Sequence, residues 1–294
     1  MSSNNKNDIV PLTANQREIW LEQELFPDSP HYNIGGYVEI KTAIDYDVFY
    51  RAISHLVEEN DALQIVLEKH EGIAHQRFVP PDGVDLHVKD FSDDKDPYNR
   101  CLAWMRKEFE KPFLMYGNHL FRFTLIKVSS ELYVWFSKFH HIIIDGWSIS
   151  SVVTRVGELY SELKTDSQLK VALGNSYREY ALQDEEYFKS RQYKKAQEYW
   201  AETLNNTPDP LLPRIRHNVE TVKSINSHKN LSLPREFYNR LNDEAERNGI
   251  SAFQFVLGAL YSYFSRIYGK EDIVFGIPVL NRRNHHEKDT VGLF

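Results

Sequence analysis

His140-His141-Ile142-Ile143-Ile144-Asp145-Gly146 puts two imidazoles, a carboxylate and a glycine in one short stretch. A run with strand character, Leu132 to Phe139, leads into it, and Trp147-Ser148-Ile149-Ser150 starts a helix after it. The spacing sets a base at a strand end, an acid in a glycine-assisted turn, and the backbone N–H groups of a helix N-terminus side by side. Chemistry at a carbonyl needs those parts: a general base, an orienting acid and oxyanion donors. The four fixed positions of the pattern HHxxxDG coincide by chance in roughly one chain in a thousand or fewer. The bland alternative is a pair of structural histidines closing a buried strand. Strand periodicity puts His141 on one face with Tyr133, Trp135, Ser137 and Phe139, and His140 on the other with Phe136 and Lys138. The two histidines therefore have different jobs.

Around this stretch the chain reads as alternating helices and strands. A helix over Ala14 to Phe26 precedes a strand near Tyr37 to Ile40. Asp45 is an N-cap for a helix to Asn60, whose Phe49, Ala52, Ile53 and Leu56 fall at i, i+3, i+4, i+7. Gln64 to Leu67 and Ile73 to Val79 form a hairpin about Gly72. A helix from Asp96 to Glu110 stops before Pro112. Leu120 to Val128 and Leu132 to His141 make a second hairpin about Ser129-Ser130. The helix after Gly146 carries Ile149, Val152, Val153, Val156, Tyr160 and Leu163 on one face.

From Thr165 to Ser224 charged helical segments run into Pro208, Pro210 and Pro213, which reads as a connector. A strand near Lys229 to Leu233, helices over Pro234 to Asn248 and Ser251 to Tyr268, and a strand at Asp272 to Val279 follow. The expected organisation is α/β: a lobe over residues 10–165 holding the motif, a helical connector over 166–224, and the start of a second lobe over 225–294. The second lobe has too few strands to close a sheet, so the fragment is expected to be incomplete as an enzyme. Phe253, Val256, Leu257 and Leu260 are expected to stand partly uncovered.

With 35 basic against 42 acidic side chains the net charge is −7, and no basic stripe points to nucleic acid. Lys189-Ser190-Arg191-Gln192-Tyr193-Lys194-Lys195 reads as one solvated helix face. Cys101 is the only cysteine, which rules out an internal disulfide, and its helical neighbours Met105 and Phe109 make it a core residue. His285, His286 and Glu287 lack the spacing of a zinc site and read as a polar surface turn, so no metal is expected. No stretch approaches the ~20 apolar residues of a membrane span. The first nine residues are polar, read as disordered, and have no signal-peptide core, so the expected location is cytoplasmic.

The motif belongs to a superfamily, and the likeness extends along the chain. Pro11 to Trp20 resembles LTxAQxxIW, Ser29 to Ile34 resembles SPxYNI, and Glu59-Asn60-Asp61-Ala62-Leu63 resembles HEALR or NDALR. Tyr177-Arg178-Glu179-Tyr180-Ala181 is similar to YxDFA, and Gly276 to Arg282 and Val291 to Phe294 resemble the start of a fifth region. In family order and spacing, these resemble the condensation domains of nonribosomal peptide synthetases. Asn15, Glu18 and Gln64 depart from the usual residues at their positions.

The resemblance implies two chloramphenicol-acetyltransferase-like lobes, the second incomplete, with the site in a channel between them. It implies amide formation between a thioester-held acyl group and the amine of a carrier-bound amino acid, with no nucleophilic serine or cysteine. His141 matches the functional histidine and orients or deprotonates the amine. Gly146 allows a close approach or an unusual φ, and its N–H is a candidate oxyanion donor. His140 is a packing histidine. Asp145 is a general acid or a structural ion, and the family pattern favours an ion paired with Arg282. Trp147 and Ser148 are candidate channel-lining residues. No cofactor is bound: substrates ride on phosphopantetheine arms of acyl- and aminoacyl-carrier proteins or on coenzyme A, with an adenylation domain downstream. Glu59 to Leu63 and Asn281-Arg282 also resemble starter condensation domains of lipopeptide synthetases, which N-acylate the first residue with a fatty acyl group, here into an apolar groove lined by Tyr133, Trp135 and Phe139. An O-acyltransferase of the same superfamily and a non-catalytic recruitment module are the rivals.

Overall fold

Side-chain caps begin most of the helices. In the computed structural model, which describes residues 9–166, 168–169, 174–211 and 230–294, Thr13 and Gln16 form a reciprocal capping box at the start of α1 (Ala14–Leu25). Asp45 accepts the Val48 N–H ahead of α2 (Tyr46–Glu59), and Asp96 accepts the Asn99 N–H ahead of α3 (Pro97–Phe109). Each such cap supplies an acceptor to an N–H that the helix leaves unpaired, contributing about 1 kcal/mol.

The chain divides into two units, Met1–Tyr193 with Leu280–Phe294, and Lys194–Val279. In the first, β2 (Asn33–Ile40), β5 (Leu86–Asp90), β6 (Phe121–Lys127) and β7 (Tyr133–His140) form a sheet of order β2-β7-β6-β5, antiparallel except for the β5–β6 pair. A smaller sheet of order β1-β4-β3 joins β1 (Val10–Pro11), β4 (Ile73–Phe78) and β3 (Ile65–His70). The strand read at Tyr37 begins at Asn33 because its backbone pairs with β7 throughout, register Asn33↔His140. Gly35-Gly36 hides that extension in the sequence. A Cβ on Gly35 would stand 2.1 Å from the Ser137 carbonyl oxygen, at a φ of +142° that favours glycine.

The larger sheet is covered on both faces. Phe123, Leu125, Trp135 and Phe139 pack with Phe49, Ile53 and Leu56 of α2 and with Val152, Val156 and Leu159 of α4 (Gly146–Thr165). Ile126, Val134 and Phe136 pack on the other side with Cys101 and Met105 of α3. Burial pushes the Cys101 thiol up to about 11, away from reactivity. Trp135 and Phe139 are 2% and 0% exposed and meet Phe49 and Phe123 ring to ring, so within this unit they are core and line no apolar groove.

The sequence-derived boundaries differ from those of the structure. Helix α5 (Tyr177–Lys189), read as connector, is fastened to the first unit. The Asp61 carboxylate accepts the Ser176 hydroxyl and the Tyr177 and Arg178 N–H groups at 2.6, 2.8 and 3.1 Å. The basic run 189–195 is solvated but not one helix, because the chain breaks at Ser190 between α5 and α6 (Arg191–Thr203).

The second unit holds α7 (Arg235–Arg247) and α8 (Ala252–Tyr268), the latter with a Ser251/Gln254 capping box and a left-handed Gly269 at its end. The strands expected at 229–233 and 272–279 are absent from the described residues. Residues 272–279 pair with no other strand, and a strand's N–H and C=O groups need a neighbour. The polar start (1–8), Pro213 and Lys229 lie outside the described residues. On α8, Phe253, Val256 and Leu260 are 58%, 46% and 43% exposed, as their uncovered faces were expected to be. Among the described residues no helix is long and apolar enough to cross a membrane.

Candidate active site

Strand β7 ends at His140, and the chain turns at once through a 3₁₀ turn, His141–Ile143, into α4. Ile142, Ile143 and Ile144 are fully buried and anchor that turn from below. The His141 N–H donates to the Tyr32 carbonyl at 2.8 Å, which ties the turn to the start of β2. The strand expected to run through His141 stops one residue short, so the turn and not strand alternation gives the two histidines different environments.

The His141 ring is half-buried, and its Nδ1 lies 2.9 Å from the Ile144 carbonyl oxygen. A carbonyl only accepts, so Nδ1 carries the proton and, in the neutral ring, the lone pair sits on Nε2. The local turn thus sets the tautomer and leaves one basic nitrogen. His140 is 2% exposed, and both of its nitrogens are engaged. Its Nδ1 accepts the Ile142 N–H at 3.2 Å, so its Nε2–H is the donor toward Gln23 Oε1, also 3.2 Å away.

Burial, with smaller contributions from the charges of His141 and His31, lowers the His140 pKa from 6.5 to about 3. An imidazole in the unfolded chain takes up its proton near pH 6.5. Between those values the unfolded state holds the extra proton, so stability falls as pH falls, by about 1.4 kcal/mol per unit. Urea unfolding of the wild type and of His140→Asn at pH 7, 5 and 4 tests this. The difference between the two proteins should change across the window, and a constant difference would show that His140 is not the source.

Asp145 is the N-cap of α4. Its Oδ1 accepts the Ser148 N–H at 2.8 Å, and its Oδ2 accepts the Phe294 N–H at 3.3 Å. Arg282 lies beside it, with Nη2 3.0 and 2.8 Å from the two carboxylate oxygens. The arginine side chain is wholly buried and Asp145 is 14% exposed. Arg282 also donates through Nη2 to the Ser148 hydroxyl at 2.6 Å and through Nη1 to the Glu287 and Thr290 carbonyls, and its guanidinium covers the Phe294 ring at 3.9 Å. One arginine therefore fastens residues 287–294 to the turn. Three donors, the Ser148 and Phe294 N–H groups and Arg282 Nη2 set across both oxygens, commit the Asp145 carboxylate to holding the turn.

Ser148 is fully buried, donates to the Gly292 carbonyl at 3.0 Å and accepts the Gly292 N–H at 3.1 Å. It faces the interior and lines no channel, because the first turn of α4 packs on Gly292. A Cβ at Gly292 would fall 2.1 Å from Tyr177 Cδ2. Trp147 is 45% exposed, donates Nε1–H to the Lys288 carbonyl, and borders a cleft of about 660 Å³ with Ser150, Thr154 and Arg155. His141 does not border that cleft. Gly146 has no positive φ, contrary to the unusual φ its glycine suggested, and an added Cβ would meet nothing within 4 Å. The space above it is open. Its N–H, at the first position of α4, has no partner within the helix.

His285–Asp289 is a short helix, α9, rather than a turn, and Glu287 is 7% exposed instead of superficial. Its carboxylate accepts the Arg283 backbone N–H at 2.6 Å and the guanidinium at 2.7 Å, which draws it inward. Among the described residues no group of three or more His, Cys, Asp and Glu could hold a metal.

Two residues not singled out from sequence hold the turn. Gln16, fully buried, donates Nε2–H to the Ile142 carbonyl at 3.0 Å and exchanges hydrogen bonds with Gln76. Gln23 is 4% exposed and reaches His140. The available signal was two amides a heptad apart on α1, either side of Trp20, on a helix with few other buried positions.

A condensation-domain family model matches residues 6–294. The chain is 27% identical over 289 residues to surfactin synthase subunit 1 of Bacillus subtilis (strain 168), covering 97% of this chain and 8% of that protein. It is 29% identical over 279 residues to the isonitrile lipopeptide synthase of Streptomyces coeruleorubidus, covering 94% and 19%. Its fold matches a variant of the starter condensation domain of rhizomide synthetase, solved in complex with C8-CoA, with a TM-score of 0.80 and 27% identity over 98% of this chain and 65% of that one. The first condensation domain of the calcium-dependent antibiotic synthetase, solved with a substrate analogue, matches with a TM-score of 0.80 and 26% identity over 97% and 67%. The chain thus spans less than a fifth of these curated relatives and about two thirds of the solved domains. The fold is the chloramphenicol-acetyltransferase-like α/β fold of those domains, and the chain belongs to the condensation-domain family.

Proposed function

We propose that the protein forms an amide between a thioester-held acyl group and the amine of a carrier-bound amino acid, and that the donor is a fatty acyl group. The observation that carries this reading is the His141 turn. Its Nδ1–H is taken by the Ile144 carbonyl, so Nε2 is the one basic nitrogen presented by the motif. His141 Nε2 orients the attacking amine and accepts its proton as the C–N bond forms. The Gly146 N–H, beside open space, stabilises the oxyanion before the thiolate leaves. Asp145 and Arg282 hold the turn and do not touch substrate. The likeness to a starter domain solved with C8-CoA supports acyl-CoA as donor.

In this reading the partners are an aminoacyl-carrier protein, an acyl-carrier protein where coenzyme A is not the donor, and a downstream adenylation domain that loads the amino acid. The setting is cytoplasmic. Incubation of the domain, its second lobe completed, with acyl-CoA of several chain lengths and an aminoacyl-carrier protein, followed by intact mass measurement of the carrier, is expected to show an acyl-aminoacyl adduct. Product from a peptidyl-carrier donor but from no acyl-CoA would reject the fatty-acyl assignment. Acylation of an alcohol in place of the amine would reject amide formation.

A further inference from the structure

We propose that Gln23 is a positioning residue for acyl transfer: its amide, oriented by backbone carbonyls, holds His140 as the Nε2–H tautomer, and His140 Nδ1 in turn holds the turn that carries His141. The inference rests on the reading of His141 as the acting imidazole. An amide can present either its oxygen or its nitrogen to a neighbour, and here the surroundings choose. Gln23 Nε2 faces three acceptors, the carbonyls of Phe26, Pro27 and Ser29 at 2.8, 3.3 and 3.2 Å. Only the NH₂ end can satisfy them, so Oε1 is the end turned to His140 Nε2.

An oxygen there demands a donor, so His140 carries its proton on Nε2 and a lone pair on Nδ1. That lone pair accepts the Ile142 N–H in the middle of the His141–Ile143 turn. Flipping the amide would set its NH₂ against the His140 Nε2–H, and flipping the ring would turn C–H groups toward Gln23 Oε1 and the Ile142 N–H, in either case at the cost of unmade hydrogen bonds in a buried place. The sequence of contacts runs from the α1 terminus, through two side chains, to the backbone one residue beyond His141. Tyr32 and Phe113 rings flank His140, and His31 and His141 are the titratable groups that bear on it. Gln23 Oε1 is the hydrogen-bond partner of Nε2.

Nitrogen-detected spectra of the ¹⁵N-histidine-labelled protein read the tautomer directly and need no activity. His140 should show a protonated Nε2 and an unprotonated, hydrogen-bonded Nδ1, unchanged from pH 8 to pH 5. A protonated Nδ1 in the unaltered protein would overturn the proposal. Gln23→Met and Gln23→Glu then test the coupling. Gln23→Met removes the acceptor. Gln23→Glu keeps an acceptor for Nε2 but loses the donors to the three carbonyls. Gln23→Met should lower kcat by up to about 100-fold with KM little changed, because a small displacement of an aligned group is enough. Gln23→Glu should recover part of that loss and keep the Nε2–H signature. Unchanged kcat in a folded Gln23→Met variant with altered ring signals would reject the positioning role alone, whereas full activity in His141→Ala would reject the underlying reading.

Discussion

Replacing His141 with alanine is expected to remove acyl transfer, a fall of about 10²- to 10⁴-fold in the single-turnover rate, while leaving the fold close to wild type. The turn around it is held by backbone and by other side chains. The His141 N–H to Tyr32 and the Ile144 N–H to the His141 carbonyl, at 2.8 and 3.3 Å, survive the change because both are main-chain bonds. What is lost on the structural side is the Nδ1–H bond to the Ile144 carbonyl, worth about 1 kcal/mol. The rate carries the larger effect because no other side chain of the motif presents a free basic nitrogen. His140 has both nitrogens engaged, and the Asp145 carboxylate is held by Arg282 and two backbone N–H groups. Single-turnover product formation beside a thermal melt separates the two effects. Full turnover in a folded variant would remove the proposed mechanism.

Breaking the Asp145–Arg282 pair is expected to be the most damaging single change to the fold. The Arg282 side chain has no exposure to solvent, so Asp145→Asn leaves a guanidinium buried without its counter-charge, at a cost of about 3–5 kcal/mol. Arg282→Met leaves the carboxylate with its two backbone donors but also takes the guanidinium from the Thr290 carbonyl and leaves the Glu287 carbonyl only the Thr290 N–H, at 3.4 Å. The double variant should cost less than the sum of the singles, since each single strands a charge that the double removes. Urea unfolding of the three proteins measures this. Singles within about 0.5 kcal/mol of wild type, the range of ordinary surface changes, would mean that the pair does not hold the turn.

The first unit was legible where local chemistry decides. Asp45 and Asp96 announced their helices within a residue, and the glycine-led hairpin was found short of the last three residues of its first strand, Ile65–His70. The second unit was less so. Ile273, Phe275, Ile277 and Val279 alternate as a strand would, yet pairing is a property of two segments and no partner is present among the described residues. Trp135 and Phe139 looked like the wall of a groove because alternation cannot say whether the second face of a sheet is covered, and here both faces are. Ser148 resembled a channel residue for a similar reason: nothing near it in the chain reveals that Gly292, 144 residues away, packs on it.

From the sequence alone came the residues with chemistry in them, their order, the strand and helix that bracket them, and the family likeness. All of these follow from residue type and short-range periodicity. The protonation geometry was a tertiary matter. Which nitrogen of each imidazole is free depends on where an acceptor stands. The acceptor for His140 lies 117 residues away on α1, and Asp145 meets its arginine across 137 residues. A hydrogen bond has a direction that residue identity does not encode, so only the folded chain could decide which histidine is locked and which one keeps a lone pair for a substrate.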